Sequence, residues 1–424
     1  MITQEENDML TLVGRGTPCG ELLRRYWQPA GLSEELPAEG APLAIKLLGE
    51  ALVLFRDDSG QVGLLGIHCS HRRTDLSYGR VENGGLRCVY HGWLYDVRGR
   101  CLEQPGEPGG GLQRDGIRHL AYPCQEIGGI VFAYLGPGEP PLFPGYELFR
   151  VAEEQRFRPM KSYHECNYLQ GNEGNIDPVH LSFLHRLRRR SDDNPKGGSG
   201  GTGMARSKAL ELNVRDTAPT IDVEVTDYGL RIYAVRKAGE DENFVRITNF
   251  VMPNTCAIGG GTGSDGYQMD WHVPIDDTHH WKYTIAFRRS GTLADRDMKD
   301  RRAAVGEDYR RRRTAANRYL QDRDEMKRGD TFTGLGTNFL DHDGWAVESQ
   351  GPIEDRTQEH IATTDKAIVT ARKLLLKGME DVREGKDPLH VVRSPSDNNF
   401  PHLFVRHEVV PSSLDWKSYW KHGA

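Results

Sequence analysis

The sequence predicts an α+β fold: a small all-β module, followed by a larger domain in which helices cover an antiparallel β-sheet. Three observations carry this reading. Between Pro42 and Tyr134, short apolar runs alternate with turn residues, as in "LAIKLLGEALVLFRDDSGQVGLLGIHC" and "IGGIVFAYLGPGEPP", the pattern of antiparallel strands joined by tight turns. Further on, "TIDVEVTDYGLRIYAVRKAG", "NFVRITNFVMPNT" and "YQMDWHVPIDDTHHWKYTIAFRRS" show the alternation and β-branched content of longer strands. Finally, "TDKAIVTARKLLLKGMEDVRE" at 364–384 has the spacing of an amphipathic helix, and the densely charged stretch 292–328 reads as surface helix.

Taken in order, residues 1–40 read as a mostly helical lead-in that packs with the larger domain and ends in "LPAEGAP". The β module then occupies 41–145, closed by the proline-rich stretch 137–144, and the larger domain takes 146–424. Within it, "RLRRRSDDNPKGGSGGTG" at 186–203 has the composition of a mobile loop. The chain of 424 residues, 37% hydrophobic, can bury a substantial core. Its net charge of −6 argues against nucleic acid as a partner. No apolar run is long enough to span a membrane, and the polar start "MITQEENDML" does not read as a signal peptide. Cys19, Cys69, Cys88, Cys101, Cys124, Cys166 and Cys256 are odd in number and irregularly spaced. That predicts reduced thiols and a cytoplasmic location rather than a disulfide framework.

Two clusters of ligand-type residues stand out. The first is Cys69-x-His71 and Cys88-x2-His91, followed by Gly92-Trp93. A structural zinc site uses the same ligand types, but commonly pairs cysteine with cysteine and histidine with histidine. Here each arm carries one of each, which suits a Rieske [2Fe–2S] cluster, in which two cysteines hold one iron and two histidines the other. The second cluster is Glu173-x3-Asp177-x2-His180-x4-His185. Asp177-Pro178 reads as an N-cap and N1 pair, with His180 in the first helical turn. His180 and His185 are separated by about 140° on an ideal helix, so facing one ion requires a local distortion such as a π-bulge. Two histidines and one carboxylate make the facial triad of a mononuclear Fe(II) oxygenase.

These motifs together resemble the large (α) subunit of the Rieske non-haem iron ring-hydroxylating oxygenases, of the phthalate dioxygenase and phenoxybenzoate dioxygenase type. The similarity runs from about residue 1 to residue 410. Respiratory Rieske proteins carry an extra cysteine beside each ligand pair. This chain has none there, which favours the oxygenase branch. The resemblance implies that Cys69, His71, Cys88 and His91 hold the cluster and that His180 and His185 ligate the iron. It implies that Asp177 bridges His180 to a Rieske histidine of a neighbouring subunit. A third ligand comes from "NFLDHDGWAVESQGPIEDR": anchoring on Glu348-Ser349-Gln350-Gly351 selects Asp343, with Asp341 the alternative.

The implied activity is hydroxylation, and specifically dihydroxylation, of an aromatic carboxylate or diaryl ether. Its co-substrate is O2, and its electrons come from NADH through a separate FMN/[2Fe–2S] reductase, or through a ferredoxin plus reductase. The implied assembly is a head-to-tail homotrimer or a stacked hexamer. An O- or N-demethylating monooxygenase shares every one of these parts. A Rieske electron carrier with no oxygenase activity is the reading from another class. For a carboxylate substrate, the expected contacts are Arg246, which alternates with Val245 and Ile247 and so projects from the opposite sheet face, Arg206 after the glycine-rich loop, and Ser182 between the two histidines. His279, His280 and His402 read as structural.

Overall fold

The structure is a computed structural model that describes residues 2–38, 40–111, 114–187, 208–260, 262–292 and 304–421. The chain opens with helices α1 (Gln4–Thr11) and α2 (Pro18–Leu23). Thr3 and Glu6 form a capping box on α1, and Thr17 and Pro18 start α2. The lead-in is not helical throughout. Trp27–Leu32, all six residues buried, form strand β1, which pairs antiparallel with a strand at Ile130–Tyr134, with a register shift between Pro29 and Gly31. The run "WQPAGL" has no alternation to announce a strand, because both of its faces are covered. Proline falls beside the irregularity, where its missing N–H is tolerated.

The module continues with β2 (Leu43–Leu47), β3 (Glu50–Arg56), β4 (Val62–Gly66), β5 (Arg80–Glu82), β6 (Gly85–Arg87), β7 (Leu94–Tyr95), β8 (Cys101–Glu103), β9 (Ala121–Tyr122), β10 (Cys124–Ile127) and β11 (Ile130–Tyr134). They form three small sheets, ordered β2-β3-β4-β9, β5-β6-β7-β8 and β1-β11-β10. Val53, Phe55, Leu65, Leu76, Leu86 and Tyr95 pack between the first two sheets around Cys69 and Cys88.

The larger domain is built on β12 (Met160–His164), β13 (Thr220–Val225), β14 (Gly229–Lys237), β15 (Glu242–Val251), β16 (Thr255–Ile258), β17 (Gly266–Asp276), β18 (His279–Arg288) and β19 (Arg406–Pro411). They make one antiparallel sheet of order β12-β18-β17-β16-β15-β14-β13, with β19 pairing the first half of β15 beyond the end of β16. The helices are α3 (Tyr168–Ile176), α4 (Lys208–Arg215), α5 (Arg323–Arg328), α6 (Phe339–Glu348), α7 (Lys366–Arg383) and α8 (Trp416–Lys421). α7 lies where the 364–384 pattern puts it, and buries Ala367, Ala371, Leu375 and Met379 on one stripe. The charged stretch 292–328 departs from expectation. Among its described residues, only α5 is α-helix, and the preceding Ala315–Leu320 is a kinked 3-10 segment. Charge density there reflects solvent exposure rather than helical repeat. The predicted loop 186–203 lies almost wholly outside the described residues.

The stripe of α7 packs on α2 and the sheet, joining the lead-in to the larger domain. Leu375→Ala is therefore expected to cost about 3 kcal/mol, read as a lower denaturation midpoint with the metal sites unaffected.

Candidate active site

Two loops of the small module present the first cluster. The β4–β5 connection carries Cys69 and His71, and is closed by Cys69 N–H donating to Thr74 O and Arg73 N–H to Cys69 O. The β6–β7 connection carries Cys88 and His91, closed by Cys88 N–H to Trp93 O and Gly92 N–H to Cys88 O. Gly92 has φ +80°, a left-handed turn that suits glycine. The tips meet: the His71 and His91 rings are 4.4 Å apart, and His71 stacks on Trp93 at 4.6 Å. The Tyr95 hydroxyl lies 3.2 Å from Cys69 Sγ. Burial, with smaller contributions from His71 and Arg72, pulls the His91 pKa down, so the ring is neutral as a metal ligand must be. His71 Nδ1 is buried with no hydrogen-bond partner among the described residues. Two imidazoles and two cysteines on facing loops fit the donor set of a Rieske cluster.

The second cluster sits where α3 meets α6. Here the local reading of the sequence is corrected. Asp177 is the C-cap of α3, not the N-cap of a new helix, and His180–Ser182 form a 3-10 turn with no π-bulge. Asp177 Oδ1 accepts from Val179 N–H at 2.7 Å, and this Asx turn reverses the chain. Arg236 pins the same turn by donating to Pro178 O at 2.8 Å. Tight turns thus bring together two histidines that a regular helix would splay.

Single ligand atoms from His180, His185 and Asp343 all lie within 4.8 Å of one another. His185 Nε2 is 2.9 Å from Asp343 Oδ1. The proton positions follow from His342, which the sequence reading passed over. His342 Nε2–H donates to Gly336 O at 2.9 Å, and burial brings its pKa down to about 4, so the ring is neutral. Its Nδ1 is then an acceptor, and His185 Nδ1–H, 3.1 Å away, donates to it. That leaves a bare lone pair on His185 Nε2 facing the Asp343 carboxylate, a contact that calls for a cation between the two. Burial raises the Asp343 pKa, but Lys282 is among the groups that outweigh it, and the carboxyl is held well below the usual carboxylate range. His180 Nδ1 is buried and without a hydrogen bond, 3.7 Å from Asp177 Oδ2. Two imidazoles and one carboxylate, with Phe339 stacked 4.2 Å from His185, fit the 2-His-1-carboxylate donor set for Fe(II). Asp341 does not join them. Two positions back on α6, it faces Arg313 at 3.6 Å, and burial raises its pKa to about 6.

A cavity of about 380 Å³ opens beside the three residues, with Leu181, Phe339, Met160, Arg246 and His407 in its walls. Arg246 is buried, and its Nε–H donates to His407 Nε2 at 3.3 Å. Burial, then the neighbouring Arg236, bring the Arg246 pKa down to about 9 against the opposing charge of Asp177, and no salt bridge to Arg246 is formed among the described residues. Ser182 is not in this wall. It is fully buried beneath the turn, with its Oγ near Arg236 Nη2 at 3.4 Å. Arg206 lies outside the described residues. Of the histidines read as structural, His280 is buried within the sheet, hydrogen-bonded to His272 and to Cys166 O.

Sequence comparison identifies both halves. Residues 26–118 match the Rieske [2Fe-2S] domain, and residues 133–423 match the "LigXa C-terminal domain like" family. The chain belongs to the Rieske non-haem iron oxygenases. It is 35% identical to the phthalate 4,5-dioxygenase oxygenase subunit of Pseudomonas putida, covering 99% of this chain and 95% of that one. It is 34% identical to the 5,5'-dehydrodivanillate O-demethylase oxygenase subunit of Sphingobium sp., covering 94% and 85%. Identity to the phenoxybenzoate dioxygenase subunit alpha of Ectopseudomonas oleovorans is 33%, covering 92% and 88%. The fold matches the oxygenase of carbazole 1,9a-dioxygenase in its reduced complex with ferredoxin, at TM-score 0.58 and 21% identity, covering 92% of this chain and 99% of that one. It also matches dicamba monooxygenase bound to dicamba, at 0.57 and 18%, covering 86% and 99%. No helix among the described residues is long and apolar enough to cross a membrane.

Proposed function

We propose that this chain is the oxygenase component of a multicomponent system that hydroxylates an aromatic carboxylate, adding both atoms of O2 to the ring. The observation that carries the substrate class is Arg246: a buried guanidinium, near Asp177 but in no salt bridge among the described residues, in the wall of the cavity that His180, His185 and Asp343 share. A buried unpaired cation is costly unless a ligand brings the counter-charge, and a guanidinium matches a carboxylate in charge and shape.

In this reading Cys69, His71, Cys88 and His91 hold a [2Fe–2S] cluster, and His180, His185 and Asp343 hold Fe(II). When bound, these groups supply single electrons and O2 activation. The chain's own residues do the rest. His342 keeps His185 in the tautomer that leaves Nε2 free. Leu181, Phe339 and Met160 give the cavity apolar walls for a ring. Arg246 orients the ring by its carboxylate. Asp177, held beside His180, offers a carboxylate to the Rieske histidine of a second subunit in a head-to-tail trimer. We place the division of labour at 41–145 for the cluster module and 146–424 for the catalytic domain, with β1 added to the former. NADH reaches the chain through a reductase, or through a ferredoxin as in the carbazole 1,9a-dioxygenase complex. The setting is cytoplasmic, in keeping with seven cysteines that form no disulfide.

Arg246→Met is expected to lower kcat/KM for an aromatic carboxylate by about 30-fold, corresponding to ~2 kcal/mol for a lost buried charge contact. The loss should appear mainly in KM, and the methyl ester of the same acid should be affected far less. Equal losses for acid and ester would remove Arg246 from substrate recognition.

A further inference from the structure

A second cavity, of about 170 Å³, lies behind the first. The two share a wall made of Asn175, His180, Lys282 and Asp343. Only the second touches Asp177, His272, His164, Glu354 and Glu359. It therefore runs from the rear of the proposed iron site to the 350–359 loop, where the side chains of Glu354 and Glu359 are 17% and 16% exposed.

Polar side chains line much of this space, alongside Leu184, Ala346, Val347 and Ile368. His280 Nδ1–H donates to Cys166 O, and burial holds the pKa of this histidine at about 3, so its Nε2 is an acceptor. His272 Nδ1–H donates to that nitrogen at 3.1 Å. The remaining nitrogen, His272 Nε2, is a buried lone pair without a partner among the described residues, and His164 Nδ1 is buried without a hydrogen bond, 3.7 Å from Glu348 Oε1. Both residues lie in the cavity wall. Polar groups and one unpaired acceptor, around space for several water molecules, give water places to bind along this cavity.

At the outer end, one carboxylate oxygen each from Glu173, Glu354 and Glu359 lie within 4.8 Å of one another. Glu173 is paired with Arg356 at 2.8 Å and with Arg372 at 2.6 Å. Glu359 is paired with Arg372, and Glu354 lies 3.5 Å from Arg356. These are the charged groups that face Glu354 from α3, its own loop and α7. Three carboxylates against two guanidiniums leave one negative charge over, which a single proton neutralises. Burial, with Glu173 and Glu359 pushing the same way against Arg356, raises the Glu354 pKa to about 7.

The reaction fixes what such a path would carry. Dihydroxylation joins an arene, O2, two electrons and two protons into a dihydrodiol. Monooxygenation joins the same reactants into a hydroxylated product and water. The electrons come one at a time from the reductase and bring no protons with them. With an aromatic ring filling the first cavity, the second offers protons a separate approach to the site. Resting on the oxygenase reading above, we propose that the second cavity is the proton inlet, and that the Glu354–Glu359 pair is the acid that loads it.

The test uses Glu354→Gln, which is neutral like the protonated acid and can still donate to Glu359, but cannot release a proton. In the metal-free protein, infrared spectra across neutrality should show a protonated-carboxyl band in the wild type that disappears as pH rises, and that Glu354→Gln lacks. In the holoenzyme with reductase, product formation by the wild type should fall on the alkaline side as the pair deprotonates. Glu354→Gln should be about 100-fold slower, the lower end of what a positioned acid contributes, and should lose that alkaline limb, whereas Glu354→Asp should restore it. Absence of the band, a wild-type rate in Glu354→Gln, or a slow variant that keeps the wild-type pH profile would each overturn the proposal. A wild type that makes no product would instead count against the oxygenase reading, and the infrared band would still decide whether the pair holds a proton.

Discussion

His185→Ala is expected to abolish product formation while leaving the Rieske cluster in place, with iron falling from about three to about two per chain and sulfide unchanged at about two. His185 supplies one of three ligand atoms, and its ring is fixed by Phe339 on one face and by the hydrogen bond to His342. Two remaining ligands from a turn and a helix do not make a facial triad. The two loops of the small module, each with one cysteine and one histidine, share no residue with this site, so the visible spectrum of the cluster should not change. The variant also leaves His342 Nδ1 buried without its donor, at about 1–3 kcal/mol of stability. Iron and acid-labile sulfide analysis, together with the spectrum, checks this. Retention of the third iron would remove His185 from the site.

Asp177→Asn has the second large effect. Both metals should stay bound, but with substrate and O2 present the reduced cluster should reoxidise about 100-fold more slowly, the scale of losing a group that orients a metal ligand. Asparagine keeps an oxygen to accept the Val179 N–H that shapes the turn, so the fold is preserved. What is lost is the negative charge beside His180. Although burial raises the Asp177 pKa, His180 and the backbone N–H groups of Val179 and His180 outweigh it and keep the acid ionised. Stopped-flow reoxidation of the pre-reduced variant checks the effect. A wild-type rate would contradict a bridging role.

Which parts of this were legible in the sequence follows the range of the interactions. Most strands of both domains, though not β1, β12 or β19, and α7 are announced by local periodicity, and the two Cys-His loops by spacing alone. β1 was missed because a strand buried on both faces carries no alternation. The turn after α3 was misread because Asp-Pro resembles a helix start, whereas here it follows a helix containing two glycines. Gly171 is required there: a Cβ would come within 2.3 Å of His272 Nδ1, a contact between α3 and β17 that no local pattern encodes. Ser182 sits between the histidines in sequence but turns beneath them in space. His342, His407 and Lys282 reach the site from α6, β19 and β18, and nothing near them in the sequence marks their roles. Asp343 was accessible only through the resemblance of the Glu-Ser-Gln-Gly run that follows it.

The central claim is that the chain oxygenates a ring and does not merely carry electrons. The most direct measurement supplies the iron-loaded holoenzyme with NADH, a phthalate-type reductase and 18O-labelled O2, alongside a panel of benzoates, phthalates, phenoxybenzoates and methoxybenzoates, and follows the label by mass spectrometry. The account predicts a diol, or the catechol or phenol formed from it, carrying oxygen from O2. Formaldehyde with a single labelled oxygen incorporated would reassign the chain as a demethylating monooxygenase on the same site. A cluster that is reduced and reoxidised while no member of the panel acquires label would contradict the account.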